Sequence, residues 1–193
     1  MKICFIDNTS FQYNSNHLYS EKLRGAETVL INLSNSLDKL GHKITIINNC
    51  PKSEYINGVR WLNINSSFED SEYDLAFANG DCRLFNLVKS KKKILFSHSL
   101  QSLEKFIRKK QLFAYLKHKP IVCFLSHYHL KKRSKLLYLF GNINLRYAVD
   151  DIFLNTNLND NIDKNLAIFA SREDRNLVLL LNIWSEYIYP QNN

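Results

Sequence analysis

His98 closes an apolar run, "KILF" at 93–96, after a single serine. A histidine at the carboxyl end of a strand can donate, accept or carry a proton near neutral pH. Arg172 and Arg175 stand three residues apart in "SREDR", and planar guanidinium forks suit phosphate oxygens. Gly25 opens an apolar-periodic segment, where the free N–H groups of a helix's first turn favour an anion or a polar oxygen. The same glycine can do no more than ease a tight turn, with Glu27 complementing the helix dipole. His127 and His129 flank Tyr128 in a spacing that invites a metal. No acid lies near them, and surface histidines are the expected reading. His98 and the two arginines have plain alternatives too, as a satisfied strand-end residue and as solvated helix-start residues.

The glycines say what the turn at Gly25 is not. Gly25, Gly41, Gly58, Gly80 and Gly141 are all isolated. Neither G-x-G-x-x-G nor G-x-x-x-x-G-K-[ST] exists, which argues against the usual nicotinamide dehydrogenases and P-loop NTPases.

The elements that must position these residues follow from periodicity. "KICFID" at 2–7 reads as a strand. The polar stretch from there to Gly25 is well beyond the usual two to six residues of an α/β connection, a length typical of binding loops, lids or disorder. Ala26, Val29, Leu30, Leu33, Leu37 and Leu40 recur at three- and four-residue steps and predict one buried helix face. Gly41 stands where a left-handed stop belongs, and "HKITIINN" reads as the next strand. Further strands are expected at 58–64, 73–80, 92–99, 120–128 and 142–149, with helix-like stretches between several of them. Near-continuous apolar strands alternating with helices predict a mostly parallel sheet covered on both faces. The segment "NTNLNDNID" at 155–163 lacks any apolar period and is the best boundary; "NLAIFAS" and "NLVLLLNIWSEYI" then predict one more strand and one more helix.

At 45% hydrophobic and 23% charged, the composition is that of a globular protein. Apolar runs such as 121–125 are far too short to cross a bilayer, and the first strand leaves no room for a signal peptide, so a cytoplasmic location is expected. Cys4, Cys50, Cys82 and Cys123 are scattered singly, as reduced core thiols would be. The net charge of +8 is regional: residues 89–146 hold fifteen Lys or Arg against Glu104 alone. Such a block meets nucleic acid, an anionic membrane surface or an anionic substrate, or is the solvated face of helices.

The stretch "LRGAETVLINLSNSLDKLGHKITIINN" at 23–49 resembles the first helix and second strand of family 4 glycosyltransferases, where a G-G-A-E-like turn precedes an apolar helix ending in L-x-x-x-G-H-x-V. "YDLAFANG", "ILFSHSLQSLEKF", "IVCFLSHYH" and "LRYAVDDIFL" resemble later strands of the same N-terminal domain, the last being similar to N-G-V-D-x-x-x-F. "IFASREDRNLVLLLNIW" is similar to the opening strand and helix of the second domain.

The resemblance implies a GT-B architecture of two Rossmann-like domains facing across a cleft. It puts an acceptor-side domain at 1–157, a linker at 158–165 and the start of a donor-side domain at 166–193. It implies metal-independent, configuration-retaining transfer from a nucleotide-sugar to a glycan or lipid-linked acceptor, with no cofactor. Positive charge and helix N-termini would stabilise the departing diphosphate. By position, Arg172 and Arg175 match the diphosphate-contacting basic pair and Gly25 the turn that approaches the donor phosphates. His98 matches a catalytic histidine facing the cleft, and Arg24, Glu27 and Asn79 would line it.

Two departures matter. Arg24 replaces the first glycine of the pair. The chain also ends before the glutamate pair that grips donor sugar and ribose in the family, so an enzyme completed by a second polypeptide, or an inactive one, is expected. The rival is a non-catalytic acceptor- or membrane-binding module at the inner membrane face. Its feature would be "LQSLEKFIRKKQLFAYLKHKP" at 100–120, where apolar and cationic residues alternate as on an interfacial helix. No zinc-finger spacing or aromatic RNA-binding motif is present, so nucleic acid is not an expected partner.

Overall fold

Apolar residues at consecutive positions, rather than alternating ones, make strands that must be covered on both faces. Lys2–Ile6 (β1) has four buried residues in a row and Lys43–Asn48 (β2) five. In this computed structural model, residues 1–18, 23–67, 72–99, 102–148, 154, 166–169 and 175–191 are described. Contacts divide the chain into two units, 1–148 and 149–193.

In the first unit β1 leads through the helix Gly25–Lys39 (α1) to β2, then to Glu54–Ile56 (β3), Val59–Asn63 (β4), Glu72–Asn79 (β5) and Lys89–Ser97 (β6). Two short helices, Leu103–Arg108 (α2) and Leu112–His118 (α3), precede Ile121–Phe124 (β7). His127–Lys132 (α4) precedes Asn142–Asn144 (β8). The eight strands form one sheet in the order β3-β4-β2-β1-β5-β6-β7-β8. Every neighbouring pair is parallel except the β3–β4 hairpin. The chain moves leftward from β1 to β2 and β4, then returns to the other side of β1 with β5. That is a doubly wound, Rossmann-like α/β sheet with its switch point between β1 and β5.

Side-chain alternation splits the core. Cys4, Ile6, Ala76, Ala78, Leu95 and Val122 share one cluster with Phe85, Phe106 and Tyr115, which come from the connections covering that face. Ile3, Phe5, Ile44, Ile46 and Trp61 pack with Leu30 and Ile31 of α1 on the other. All four cysteines are buried free thiols.

Helix α1 forms where its period predicts, but its buried line runs through Glu27, Leu30, Ile31 and Ser34, while Leu40 is 73% exposed. Val29, Leu33 and Leu37 pack partly buried against the core as expected, and the face extends to Glu27 and Ser34 because local oxygen partners make their burial tolerable: Thr9 donates to Glu27 Oε1 at 2.9 Å, and Ser34 Oγ donates to the Ile31 carbonyl at 2.8 Å. Gly41 ends the helix at φ +82, with the His42 N–H donating to the Leu37 carbonyl and the Gly41 N–H to Asp38. This is a Schellman stop, as expected.

The strand read at 58–64 is in fact the second arm of a hairpin. Asn57 and Gly58 have φ +52 and +81, the left-handed pair of a two-residue turn whose twist matches the strands it joins. Strands expected at 120–128 and 142–149 are shorter, because Ser126 caps α4 through the His129 N–H and the chain leaves the sheet after Asn144.

In the second unit Leu177–Ile183 (α5) continues into a wider π turn over Trp184–Ile188. Residues 166–169 carry no strand, against expectation. A strand needs a partner edge, and none pairs with these residues among those described. No helix of the described residues is long and apolar enough to cross a membrane.

Candidate functional site

Open parallel sheets bind ligands at the carboxyl ends of their strands, at the switch point. A cleft of about 630 Å³ lies there. Its floor is built by the ends of three adjacent strands: Asp7 just after β1, Asn79 at the end of β5 and His98 just after β6.

Asp7 is 3% exposed, and both its oxygens are engaged by neutral donors. Asn79 Nδ2 donates to Oδ1 at 2.9 Å and the Tyr13 hydroxyl to Oδ2 at 2.6 Å. Burial, then the Asp7 charge, push the Tyr13 phenol far above its ordinary range, so it stays a donor. Tyr13 stands on the long loop after β1 and is fixed there by Asn48 of β2, whose Nδ2 donates to the Tyr13 carbonyl at 2.9 Å. The long connection thus folds back to hold the floor.

His98 is half-buried with its ring edge against Phe96, centroids 4.5 Å apart. Its Nδ1 shares a hydrogen bond with the Tyr147 hydroxyl at 2.5 Å. Nε2 is shielded from solvent and has no partner among the described residues, so either tautomer leaves it with an unmet hydrogen bond there. Burial lowers the His98 pKa from its ordinary 6.5, with the Asp7 charge opposing, so the ring is neutral at pH 7. A neutral imidazole can exchange a hydrogen bond or a proton with a hydroxyl that reaches it.

One wall is cationic. Arg108, Lys109 and Lys110 form the corner between α2 and α3, and all three line the cleft. Gln111, 4% exposed, staples that corner in place: its Oε1 accepts from the Cys82 N–H and its Nε2 donates to the Gly80 carbonyl, both at 3.3 Å. Lys110 adopts φ +54 as the left-handed residue of the stop that ends α2, where the Gln111 N–H donates to the Phe106 carbonyl at 2.8 Å and the Lys110 N–H to the Ile107 carbonyl at 2.9 Å. Arg83 also lines the cleft but is already paired with Asp81 through Nη2 at 2.6 Å.

Of the residues singled out in the sequence, His98 and Asn79 meet at this cleft. Glu27 lies beside it, one hydrogen bond away through Thr9, with its second oxygen buried and unpartnered. Gly25 is the first residue of α1, with nothing within 4 Å of where a Cβ would sit, and the helix has no side-chain cap. Its N-cap residue Arg24 instead lays its guanidinium over the Phe11 ring, 5.2 Å from the centroid. Arg172 lies outside the described residues. Arg175 is exposed in the second unit, ahead of α5. His127 and His129 lie on α4, and no group of three or more His, Cys, Asp or Glu that could hold a metal occurs among the described residues.

Sequence reasoning missed Asp7, Tyr13 and Gln111, and it read Arg108, Lys109 and Lys110 as part of a basic membrane-facing stretch instead of a wall of this cleft. The signal for Asp7 was available, since it is the first polar residue after an apolar strand. Tyr13 and Gln111 carry none, because only the folded loop brings them to the floor and wall. Comparison with protein-family models, with curated proteins and with solved structures finds no match.

Proposed function

We propose that this chain is a glycosyltransferase-like protein whose first unit is the acceptor-side domain of a GT-B fold, acting in retaining transfer from a nucleotide-sugar. The observation that carries the reading is the cleft at the β1/β5 switch point, where a buried carboxylate, an amide and a neutral histidine converge. Those groups suit a hydroxyl-rich ligand: Asp7 accepts from a hydroxyl, Asn79 holds the carboxylate in orientation, and His98 exchanges a hydrogen bond at Nε2. The first turn of α1 at Gly25 offers N–H groups to a donor diphosphate, and Arg172 and Arg175 are the proposed diphosphate-contacting pair.

The test is saccharide binding by the purified chain, read by NMR. Neutral hexoses should shift the His98 imidazole and the Asn79 and Gly80 amides, and Asp7→Asn should abolish the shifts. Absence of any saccharide response at those positions overturns the reading.

A second reading has its own observation. Ile107 and Phe113 are 57% and 78% exposed on α2 and α3, a stretch that also carries the exposed Lys109 and Lys117. Apolar anchors ringed by cations are what holds a domain on an anionic bilayer, each cation contributing about 1 kcal/mol near the surface before screening. Sedimentation with phosphatidylglycerol vesicles at low salt, released as salt rises and absent with phosphatidylcholine alone, is the expected result; equal binding to both, or to neither, removes it.

A further inference from the structure

The cleft joins two chemistries that a neutral sugar does not need together. Its floor presents hydrogen-bonding groups, while its wall presents Arg108, Lys109 and Lys110, none of which makes a salt bridge among the described residues. Unpaired cations on one short corner repel one another. That repulsion is relieved by solvent or by an anion, and solvation alone asks for no fixed corner.

This corner is fixed. Gln111 ties it to Gly80 and Cys82, Lys110 is held left-handed, and the Lys110 N–H closes the turn onto the Ile107 carbonyl at 2.9 Å. Arg83, which could have added a fourth free cation, is occupied by Asp81. Lys105 of α2 donates to Ser99 Oγ, and burial, then Lys109 and Arg108, lower its pKa.

From this arrangement we infer that the cleft takes a phosphorylated acceptor, a sugar ring whose hydroxyls meet Asp7 and His98 while its phosphate meets Arg108, Lys109 and Lys110. The inference rests on the acceptor-side reading and narrows it. The guanidinium of Arg108 suits two phosphate oxygens at once, and the flanking ammonium groups act as point charges. The phosphate can belong to a free sugar phosphate or to one esterified to a lipid; both present the same dianion or monoanion to the corner.

Calorimetry of the full chain with glucose 1-phosphate, glucose and inorganic phosphate tests it. Glucose 1-phosphate should bind at least tenfold more tightly than either glucose or phosphate, and the gain should shrink at high salt. The double variant Arg108→Gln/Lys110→Gly should remove that gain, by about tenfold per cation lost. Glycine is chosen because φ +54 suits it, so the corner keeps its shape. The melting temperature should not fall below the parent's. A prenyl ester of the same sugar phosphate distinguishes the sources: tighter binding than the free compound identifies a lipid-linked acceptor, weaker binding a soluble one, and both support the corner. Glucose binding without any gain from phosphate overturns the inference and leaves the acceptor-side reading standing. Binding of inorganic phosphate as tight as glucose 1-phosphate overturns it as well, since the floor then plays no part. Absence of binding by all three overturns both.

Discussion

Asn79 of β5 donates to Asp7 of β1 at 2.9 Å across the two strands where the winding of the sheet reverses. The bond closes the floor of the cleft between strands that diverge above it. It also leaves the Asp7 carboxylate, buried to 3% exposure, held by neutral groups alone among the described residues.

Removing one of those groups has a defined cost. Tyr13→Phe deletes the hydroxyl that donates at 2.6 Å and keeps the ring, which packs edge-on against Trp61. Leaving a buried carboxylate oxygen unpaired should destabilise the fold by about 1–3 kcal/mol. Urea denaturation should show a lower midpoint at unchanged m-value, and Tyr13→Phe/Asp7→Asn should lose less than the two single variants added together. Strict additivity would mean that the two side chains do not depend on each other.

Gly58 is required twice over. It holds φ +81, and a Cβ there would collide with the Asp38 carboxylate of α1. Gly58→Ala should therefore destabilise by about 1–3 kcal/mol through backbone strain and the displaced side chain. Gly58→Ala/Asp38→Ala should recover the steric part only. A parent-like melting temperature for the single variant would contradict the turn.

Gly25→Ala should behave oppositely. Nothing surrounds that position, and alanine is the better helix former by up to about 1 kcal/mol, so stability should hold or rise. If the turn at Gly25 meets a donor diphosphate as proposed, UDP and GDP should bind this chain at about millimolar affinity, since a backbone turn leaves little once association entropy is counted. Gly25→Ala should weaken that binding if the backbone there approaches the diphosphate. Micromolar binding by this chain alone, or indifference to the methyl group, would show that the turn does not serve a shared donor site.

Acid should loosen the fold below neutral pH. His98 and His118 both have lowered pKa values: burial acts first on each, with Lys93 and Lys117 adding to the shift at His118. The unfolded chain then binds more protons than the folded one once pH falls below about 6.5, so stability is level above that pH and declines beneath it. Thermal melts at pH 7.5, 6.5 and 5.5 should show the decline, and His98→Gln/His118→Gln should flatten it. An unchanged slope in the double variant would assign the acid sensitivity to carboxylates instead.

Much of the architecture could be read from the chain because parallel strands announce themselves by continuous burial. β1, β2, β5 and β6 stand within a few residues of where their apolar runs put them. The hairpin was legible as well: Asn57–Gly58 is the strongest short signal for a two-residue turn, and only the brevity of β3 hid it. The apolar face of α1 was legible in Val29, Leu30, Leu33 and Leu37, but the burial of Glu27 and Ser34 beside it was not, since both look solvent-facing until Thr9 and the Ile31 carbonyl receive them. The site divided along the same line. His98 and Asn79 end strands, so position alone located them, whereas Gln111 and Lys110 matter through a corner whose geometry no local pattern encodes.

Both margins of the sheet are three residues long, β3 on one side and β8 on the other. A margin that short offers an incoming chain only one or two backbone hydrogen bonds before the ladder runs out, too few to repay the ordering of a new strand. Tyr55 of β3 and Ile143 of β8 are exposed at these margins, but more of the exposed apolar side chains lie on α2, α3 and α5. Concentrated solutions should therefore cluster reversibly through side chains while resisting growth by strand addition, and they should not template fibrils.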